Sequence, residues 1–141
     1  MIDIILGGVH KDKRGQIKFF NDFDLKDVRR FYLINNSNSD VIRGWRAHKI
    51  EQRWFYPISG SFSFDLVEID NWEQPNIDLN ILNKIICSRD NNILHVPAGF
   101  GTAIKALEPD SELIVFGDHP IEHASLDDYT FELDYFVNFR K

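Results

Sequence analysis

Short apolar runs alternate with polar stretches rich in glycine, proline and asparagine along the whole chain. Runs of about four to eight residues that contain many β-branched and aromatic side chains are typical of β-strands. The predicted strands cover residues 2–6, 16–20, 30–34, 41–56, 61–68, 93–96, 103–107 and 112–117. Many short strands at such close spacing predict an all-β antiparallel sandwich or barrel with little helix.

The polar breaks between these runs also predict which strands pair. The turn at residues 57–60 joins 41–56 and 61–68 into a long hairpin. A second strand pair is predicted between 103–107 and 112–117, because proline, aspartate and serine between them favour a turn.

The sequence does not determine the secondary structure of two segments. Residues 79–86 are apolar and fit a helix or a strand, since short apolar runs do not distinguish the two. The acidic and aromatic tail at residues 127–136 fits a short helix or an extended arm packed on the barrel.

The run at residues 41–56 carries the most informative polar pattern. Successive strand side chains point to opposite faces, so an extended backbone sets Arg46, His48 and Gln52 in one row. A row of polar groups ending in aromatic residues indicates a site inside a barrel, because an ordinary core face would be apolar. The alternative is an exposed strand face with one incidental histidine.

Composition limits the possible functions. The chain has 141 residues, which predicts one domain over residues 1–141, and its 43% hydrophobic and 13% aromatic residues favour a β-rich interior. A net charge of −6 argues against non-specific binding to nucleic acid, which requires neutralisation of phosphates. It does not exclude a small phosphorylated ligand, because a few local arginines can hold a diphosphate.

Cysteine content and hydropathy predict the compartment. Cys87 is the only cysteine, so an intrachain disulfide is impossible and a reducing environment is expected. The N-terminus is too short and too acidic for a signal peptide. No apolar run approaches the roughly 18 residues of a membrane span. We therefore expect a soluble cytoplasmic protein.

The sequence Arg43-Gly44-Trp45-Arg46-Ala47-His48-Lys49 resembles a motif of the RmlC-like cupins that act on dTDP-sugars, in particular the dTDP-4-keto-6-deoxyglucose 3,4-ketoisomerases. Residues 30–34, 12–15, 97–100 and 128–136 resemble further motifs of that family in the same order. The resemblance implies a jelly-roll cupin, a double-stranded β-helix barrel, that forms a homodimer. It also implies isomerisation or epimerisation of a dTDP-linked 4-keto-6-deoxyhexose in deoxysugar and polysaccharide (lipopolysaccharide) biosynthesis.

Two departures from the family pattern bear on metal binding. Arg46 stands where the family has the first histidine of a His-x-His pair, and Gly101 and Thr102 stand where related enzymes place a later histidine. A permanently charged guanidinium cannot bind a metal ion, and first-row metals held by imidazole need several ligands. We expect no metal and no other cofactor.

The resemblance assigns the active-site base to His48, the second histidine position of the pair. A histidine suits a proton shuttle because both of its protonation states are accessible near neutrality. Arg46, on the same strand face, is the expected partner of the developing oxyanion. Tyr32 is expected to act as an acid or to hydrogen bond the substrate, although a core tyrosine fits equally well.

Six residues are expected to bind the substrate. Arg43 beside Gly44 fits a diphosphate contact, because glycine permits close backbone approach and arginine offers a two-pronged donor; an ordinary surface ion pair is the alternative. The other expected contacts are Gln52, Lys49, Arg14 and Arg30. For Arg14 the alternative is a solvated charge in a turn.

Two other functions remain open. In the first, Arg46 fills the space of a catalytic group, and the protein binds a sugar nucleotide without turnover. In the second, the cupin binds an unrelated small molecule. His95 is expected to be a satisfied buried histidine in an apolar strand, whereas His10, His119 and His123 lie in polar segments and are expected to have no role.

Overall fold

The computed structural model describes residues 1–139, which form twelve β-strands and three short 3-10 helices. The strands are β1 (Asp3–Leu6), β2 (Gly8–Asp12), β3 (Gly15–Phe19), β4 (Arg30–Ile34), β5 (Ile42–His48), β6 (Arg53–Ser59), β7 (Ser61–Glu68), β8 (Ile81–Cys87), β9 (Asn92–Val96), β10 (Phe100–Ala106), β11 (Glu112–Gly117) and β12 (Tyr129–Thr130). The 3-10 helices cover Leu25–Asp27, Ser88–Asp90 and Ile121–Asp127. This architecture confirms the predicted all-β fold with little helix. Within the same residues, no helix has the length and apolar character needed to cross a membrane.

The strands form two five-stranded antiparallel sheets that face each other. The first sheet has the order β1-β9-β6-β11-β4, and the second has the order β12-β5-β10-β7-β8. Strands β2 and β3 pair only with each other and form a separate hairpin. Consecutive strands in the chain therefore often lie in different sheets.

The main core fills the space between the two sheets. Phe62 and Phe64 of β7 point inward at alternate positions, and they meet Phe55 of the opposite sheet. All three side chains are fully buried, and burial of one phenylalanine stabilises the fold by about 2–3 kcal/mol. The alternating pattern of residues 61–68 thus correctly identified the inward face of β7.

A second core lies on the outer side of the second sheet. Trp45 and Ala47 of β5 point away from the main core and pack with Phe136 of the C-terminal tail. The tail is the extended arm that the sequence left as one of two options: β12 pairs with β5, and Trp45 exchanges backbone hydrogen bonds with Phe131. The tail therefore covers the outward face of β5.

The predicted continuous strand at residues 41–56 and its hairpin with 61–68 are wrong. Strand β5 ends at His48, and β6 starts at Arg53 in the opposite sheet. The strand breaks because the Asp127 carboxylate binds the backbone N–H groups of Lys49 to Glu51, which then have no strand partner. Strand β7 returns to the second sheet through Gly60, whose φ of +71° suits glycine.

The predicted pairing of residues 103–107 with 112–117 is also wrong. Strand β10 pairs with β5 and β7, whereas β11 pairs with β4 and β6 of the other sheet. The proline, aspartate and serine between the segments do form a turn, but this turn connects one sheet to the other. The ambiguous segment at 79–86 is a strand, β8, which pairs with β7 at the edge of the second sheet.

Candidate functional site

Two adjoining cavities lie between the sheets, along the side where β4 faces β5. The His48 cavity has a volume of about 490 Å³ and is bounded by His48, Arg30 and the 3-10 helix at Ile121–Asp127. The Arg43 cavity has a volume of about 580 Å³ and extends along Arg43 and Thr102. Both cavities are lined by the same three residues at their junction: Tyr32, Arg46 and Arg53.

His48 lies in the wall of the first cavity with one nitrogen bonded and one free. Its Nδ1 is 2.7 Å from the backbone oxygen of Asp127. Since a carbonyl only accepts, Nδ1 must carry the proton, and Nε2 of the neutral ring is then an unprotonated acceptor. Nε2 is buried and has no hydrogen-bond partner among residues 1–139. His48 therefore lines the cavity as a neutral imidazole with one unprotonated, unpartnered nitrogen.

The surroundings of His48 keep its ring neutral. Burial and the positive charge of Arg53 lower the pKa of His48 to about 4. Glu51 and Asp127 act in the opposite direction and raise this pKa. At neutral pH the imidazole is thus able to accept a proton.

Asp127 positions the end of β5. Its buried carboxylate accepts from the backbone N–H groups of Lys49 (2.8 Å), Ile50 (3.0 Å) and Glu51 (2.7 Å), while its carbonyl accepts from His48. One aspartate thereby fixes both the turn after β5 and the tautomer of the histidine.

Three buried or half-buried charges form a network beside the cavity. Glu51, whose side chain is 2% exposed, accepts from Arg53 Nε at 2.9 Å and from Arg30 Nη2 at 3.3 Å. The guanidinium of Arg30 also lies 5.3 Å from the ring centre of Tyr32, within the range of a cation–π contact. The carboxylate thus holds two cations in place at the cavity wall.

The other two cavity arginines are more accessible. Arg46 Nε lies 3.2 Å from Asp128 Oδ1, and its side chain is 58% exposed. Arg43 donates to Asn36 Oδ1 at 2.7 Å and to the backbone oxygen of Asn35 at 3.3 Å. Arginines outnumber carboxylates around the two cavities, although the chain as a whole is acidic. Such a site favours an anionic ligand.

The structure brings together six of the predicted site residues and separates three others. His48, Arg46, Tyr32 and Arg30 share the first cavity, and Arg43 and Gly44 lie in the second. The predicted row of Arg46, His48 and Gln52 is wrong, because the strand ends at His48 and the Gln52 side chain instead meets His95. Neither cavity is lined by the exposed Lys49 or by Arg14, which pairs with Asp12 at the tip of the β2–β3 hairpin.

Gly44 lines the Arg43 cavity, but the structure explains the glycine by strand packing and not by the approach of a diphosphate. A Cβ at this position would lie 2.6 Å from the Cβ of Ala103 on the neighbouring strand. The glycine permits β5 and β10 to pack closely.

The site contains three important residues that the sequence did not indicate: Arg53, Glu51 and Asp127. Period-two alternation through the run places Arg53 on the face opposite His48, whereas the turn at residues 49–52 and the change of sheet bring it to the same cavity. The turn at residues 49–52 contains three polar residues and one isoleucine, which indicate a turn less clearly than a glycine or a proline would. Asp127 lies 79 positions from His48, beyond any local signal.

The other histidines are arranged as structural residues or lie at the surface. His95 stacks on Trp54 at 5.1 Å, and its nitrogens lie 3.1 Å from Asp3 Oδ1 and 2.7 Å from Gln52 Oε1. His119 and His123 neighbour each other at a ring distance of 5.6 Å. Among residues 1–139, no three His, Cys, Asp or Glu side chains are grouped as metal ligands.

The double-sheet fold is that of the RmlC-like cupins. The chain belongs to the FdtA family, because the family described as "FdtA: WxcM-like, C-terminal" matches residues 2–141. This is a family of sugar-nucleotide ketoisomerases. No protein with a curated description matches the sequence.

Several solved structures share the fold at low sequence identity. QdtA, a sugar 3,4-ketoisomerase from Thermoanaerobacterium thermosaccharolyticum in complex with TDP, has 16% identity and a TM-score of 0.69 over 96% of this chain and 92% of its own. The WlaRB TDP-quinovose 3,4-ketoisomerase from Campylobacter jejuni has 19% identity and a TM-score of 0.69 over 97% and 98% of the two chains. The dTDP-4-dehydrorhamnose 3,5-epimerase from Bacillus anthracis has 14% identity and a TM-score of 0.74 over 94% and 79%.

Proposed function

We propose that this protein is a metal-independent isomerase of a dTDP-linked 4-keto-6-deoxyhexose, of the 3,4-ketoisomerase kind, in cytoplasmic deoxysugar and polysaccharide biosynthesis. The observation that carries the proposal is the unpartnered Nε2 of His48 in a cavity lined by arginines. Membership of the FdtA family supports the substrate class.

His48 is the proposed proton shuttle. The C3 proton of the sugar is acidic because the 4-keto group stabilises the resulting carbanion as an enediolate. Nε2 removes this proton to give an enediolate with its charge on O4. The proton of the O3 hydroxyl then passes to O4, the proton held on Nε2 is delivered to C4, and O3 becomes the new carbonyl. The hydrogen bond from Nδ1 to Asp127 keeps the ring oriented through both steps.

We expect bound substrate to make His48 a stronger base. A diphosphate in the adjoining Arg43 cavity would bring negative charge towards the imidazole and offset the arginines that disfavour its protonation. We therefore expect the pKa of His48 to rise above its value of about 4 when the substrate binds.

Two further residues of the His48 cavity are proposed to contact the sugar. Arg46 is on the same strand as His48 and provides positive charge for the oxyanion. Tyr32, at the junction of the two cavities, is proposed to donate a hydrogen bond or a proton to a sugar oxygen.

The Arg43 cavity is the proposed site of the nucleotide diphosphate. Arg43 and the backbone at Gly44 line it, and Arg30 contributes positive charge from the adjoining cavity. We assign no ligand contact to Gln52, Lys49 or Arg14 within the same chain, because all three side chains lie outside both cavities.

The test is incubation of the protein with dTDP-4-keto-6-deoxyglucose in deuterated water, followed by NMR. Deuterium at the C3 and C4 positions that disappears in His48→Ala supports the isomerase. Binding of TDP in calorimetry without any deuterium exchange supports the alternative, a non-catalytic sugar-nucleotide-binding cupin. The observation that favours this alternative is the Arg46–Asp128 ion pair in the cavity. Absence of both exchange and TDP binding contradicts both functions and favours an unrelated ligand.

We also propose that the protein is a homodimer. The β2–β3 hairpin pairs with no other strand, yet it exposes Val9, Ile17 and Phe19, and an isolated two-stranded hairpin is marginally stable in water. The outer face of the first sheet exposes Phe31 and Leu33 as well. Exposed apolar surface of this kind is typical of an interface.

Sedimentation velocity tests the dimer. Ile17→Lys introduces a charge on the hairpin and is expected to shift the protein from dimer to monomer. Ile85→Lys, at an equally exposed position of β8 in the second sheet, is the matched control and should leave the dimer intact. A monomeric wild-type protein at micromolar concentration would contradict the proposal.

A further inference from the structure

Arg53 is a buried cation that enters the site from the sheet opposite His48. The residue is 7% exposed and lies at the junction where both cavities meet. It is the first residue of β6, whereas His48 is the last residue of β5. The guanidinium and the imidazole therefore approach the same cavity from different sheets, and a sugar bound between the sheets lies within reach of both.

Glu51 fixes the orientation of Arg53. The Nε of Arg53 donates to Glu51 Oε2 at 2.9 Å, and the same carboxylate is held from its other oxygen by Arg30. In the described part of the chain, no acceptor binds the terminal Nη groups of Arg53. These N–H groups are donors that are held in place without a protein partner.

The influence of Arg53 on His48 indicates that the two groups are close. Among the charged groups around the ring, Arg53 lowers the pKa of His48, while Glu51 and Asp127 raise it. A cation that disfavours the imidazolium is also placed to favour an anion formed beside the same ring.

Arg46 is less suited to stabilise an anion during the reaction. Its side chain is 58% exposed and its Nε is paired with Asp128, so water and a carboxylate already screen its charge. Arg53 combines burial with a fixed position, and a preorganised donor in a water-poor site needs no rearrangement as charge develops.

We propose that Arg53 is the principal partner of the oxyanion in the reaction, with Glu51 and Arg30 as its positioning residues. This inference rests on the proposed isomerase function. As the C3–H bond breaks, its proton passes to Nε2 of His48 and its electron pair forms the C3=C4 double bond. The π electrons of the carbonyl move to O4, and the Nη groups of Arg53 donate to this oxygen.

The experiment compares Arg53→Gln and Arg46→Gln by their rates of deuterium incorporation from solvent into saturating dTDP-4-keto-6-deoxyglucose. We expect Arg53→Gln to lower kcat by about 100-fold or more, with a KM within about fivefold of wild type, as for loss of an oxyanion donor. Arg46→Gln is expected to lower kcat by less than about tenfold. Added guanidinium is expected to restore part of the rate in Arg53→Gly, because it supplies the missing planar donor.

Arg53→Lys keeps the positive charge beside Glu51 and provides a second test if Arg53→Gln does not fold. We expect a loss in kcat of at least about tenfold for this variant, because an ammonium group lacks the two-pronged geometry of guanidinium. Thermal unfolding and TDP binding report whether each variant is folded. If Arg53→Gln and Arg53→Lys both keep kcat within threefold of wild type, or if Arg46→Gln loses as much as Arg53→Gln, the inference is overturned while the isomerase function stands.

Two further outcomes separate the alternatives. A weakening of TDP binding by more than tenfold in Arg53→Gln at unchanged kcat would overturn the inference and assign Arg53 to the diphosphate. A wild-type protein that incorporates no deuterium would contradict the isomerase function itself, and the role of Arg53 with it.

Discussion

His48 and His95 are both strand histidines next to an aspartate, but they differ in what their nitrogens contact. His95 lies in β9 on the outer side of the first sheet, with oxygen partners for both nitrogens and Trp54 stacked on its ring. His48 lies between the sheets, with Nδ1 on the backbone carbonyl of Asp127 and Nε2 without a partner among the residues that the structure describes. Both nitrogens of His95 are bonded within the structure, whereas Nε2 of His48 has no protein partner among the described residues.

The difference shows that burial alone does not identify a reactive histidine. Both rings are largely shielded from water, but within residues 1–139 only His48, which lines a cavity with several arginines, has an acceptor nitrogen without a partner. A satisfied nitrogen cannot take a proton from a substrate without losing its hydrogen bond. The free nitrogen is therefore the feature that separates the proposed base from a structural residue.

The largest expected effect is on turnover. His48→Gln is expected to lower the rate of deuterium incorporation by about 10²–10⁴-fold, because general base catalysis is lost while glutamine retains a donor for the Asp127 carbonyl. The matched variant His95→Gln should stay within threefold of wild type. Both rates are measured by NMR in deuterated water. Equal losses in the two variants would remove the distinction between the histidines.

The second prediction concerns the pH dependence of stability. The pKa of His48 is about 4 in the folded protein and about 6.5 in the unfolded chain. The unfolded state therefore binds more protons between these values, and the free energy of unfolding falls by about 3 kcal/mol as the pH decreases from 6.5 to 4. The loss levels off below the folded pKa.

Urea unfolding at several pH values measures this contribution as the difference between wild type and His48→Gln. The subtraction is needed because carboxylates also titrate near pH 4. If His48→Gln has the same pH dependence as wild type, the depressed pKa of His48 is contradicted.

The third prediction compares the two aspartates. Asp127→Ala leaves the partly buried backbone N–H groups of Lys49 and Ile50 and the buried N–H of Glu51 without their acceptor, so we expect a loss of about 2–3 kcal/mol in the free energy of unfolding. Asp3→Ala removes only a largely exposed partner of His95, and a loss below about 1 kcal/mol is expected. Chemical denaturation tests both variants; a larger effect at Asp3 would reverse the ranking.

The smallest effect is expected at Gln52. Gln52→Ala removes the 2.7 Å contact with His95 Nε2, and a net protein hydrogen bond contributes about 1 kcal/mol. The melting temperature should fall by a few degrees, in line with the usual size of such a change for a domain of this length. A loss as large as that of Asp127→Ala would indicate that the His95 cluster has a greater structural role than its contacts suggest.

The sequence alone determined the fold class and most strand positions. Strand β4 coincides with its predicted range of residues 30–34, and β7 with its predicted range of 61–68. Alternation of apolar residues every second position is a local property, so it identifies a strand and its inward face wherever the strand is continuous. The motif around Arg43 to Lys49 also indicated the family that the comparison of sequences confirmed.

Only the tertiary structure decided which side chains share the site. Pairing across sheets depends on contacts between distant segments, and two turns that resemble hairpin connections instead carry the chain from one layer to the other. The sequence therefore placed Gln52 beside His48, whereas the change of sheet at residues 49–52 puts Arg53 there. The pattern of the chain determined that His48 lies on a strand; the carbonyl of a residue 79 positions away decided which of its nitrogens is free.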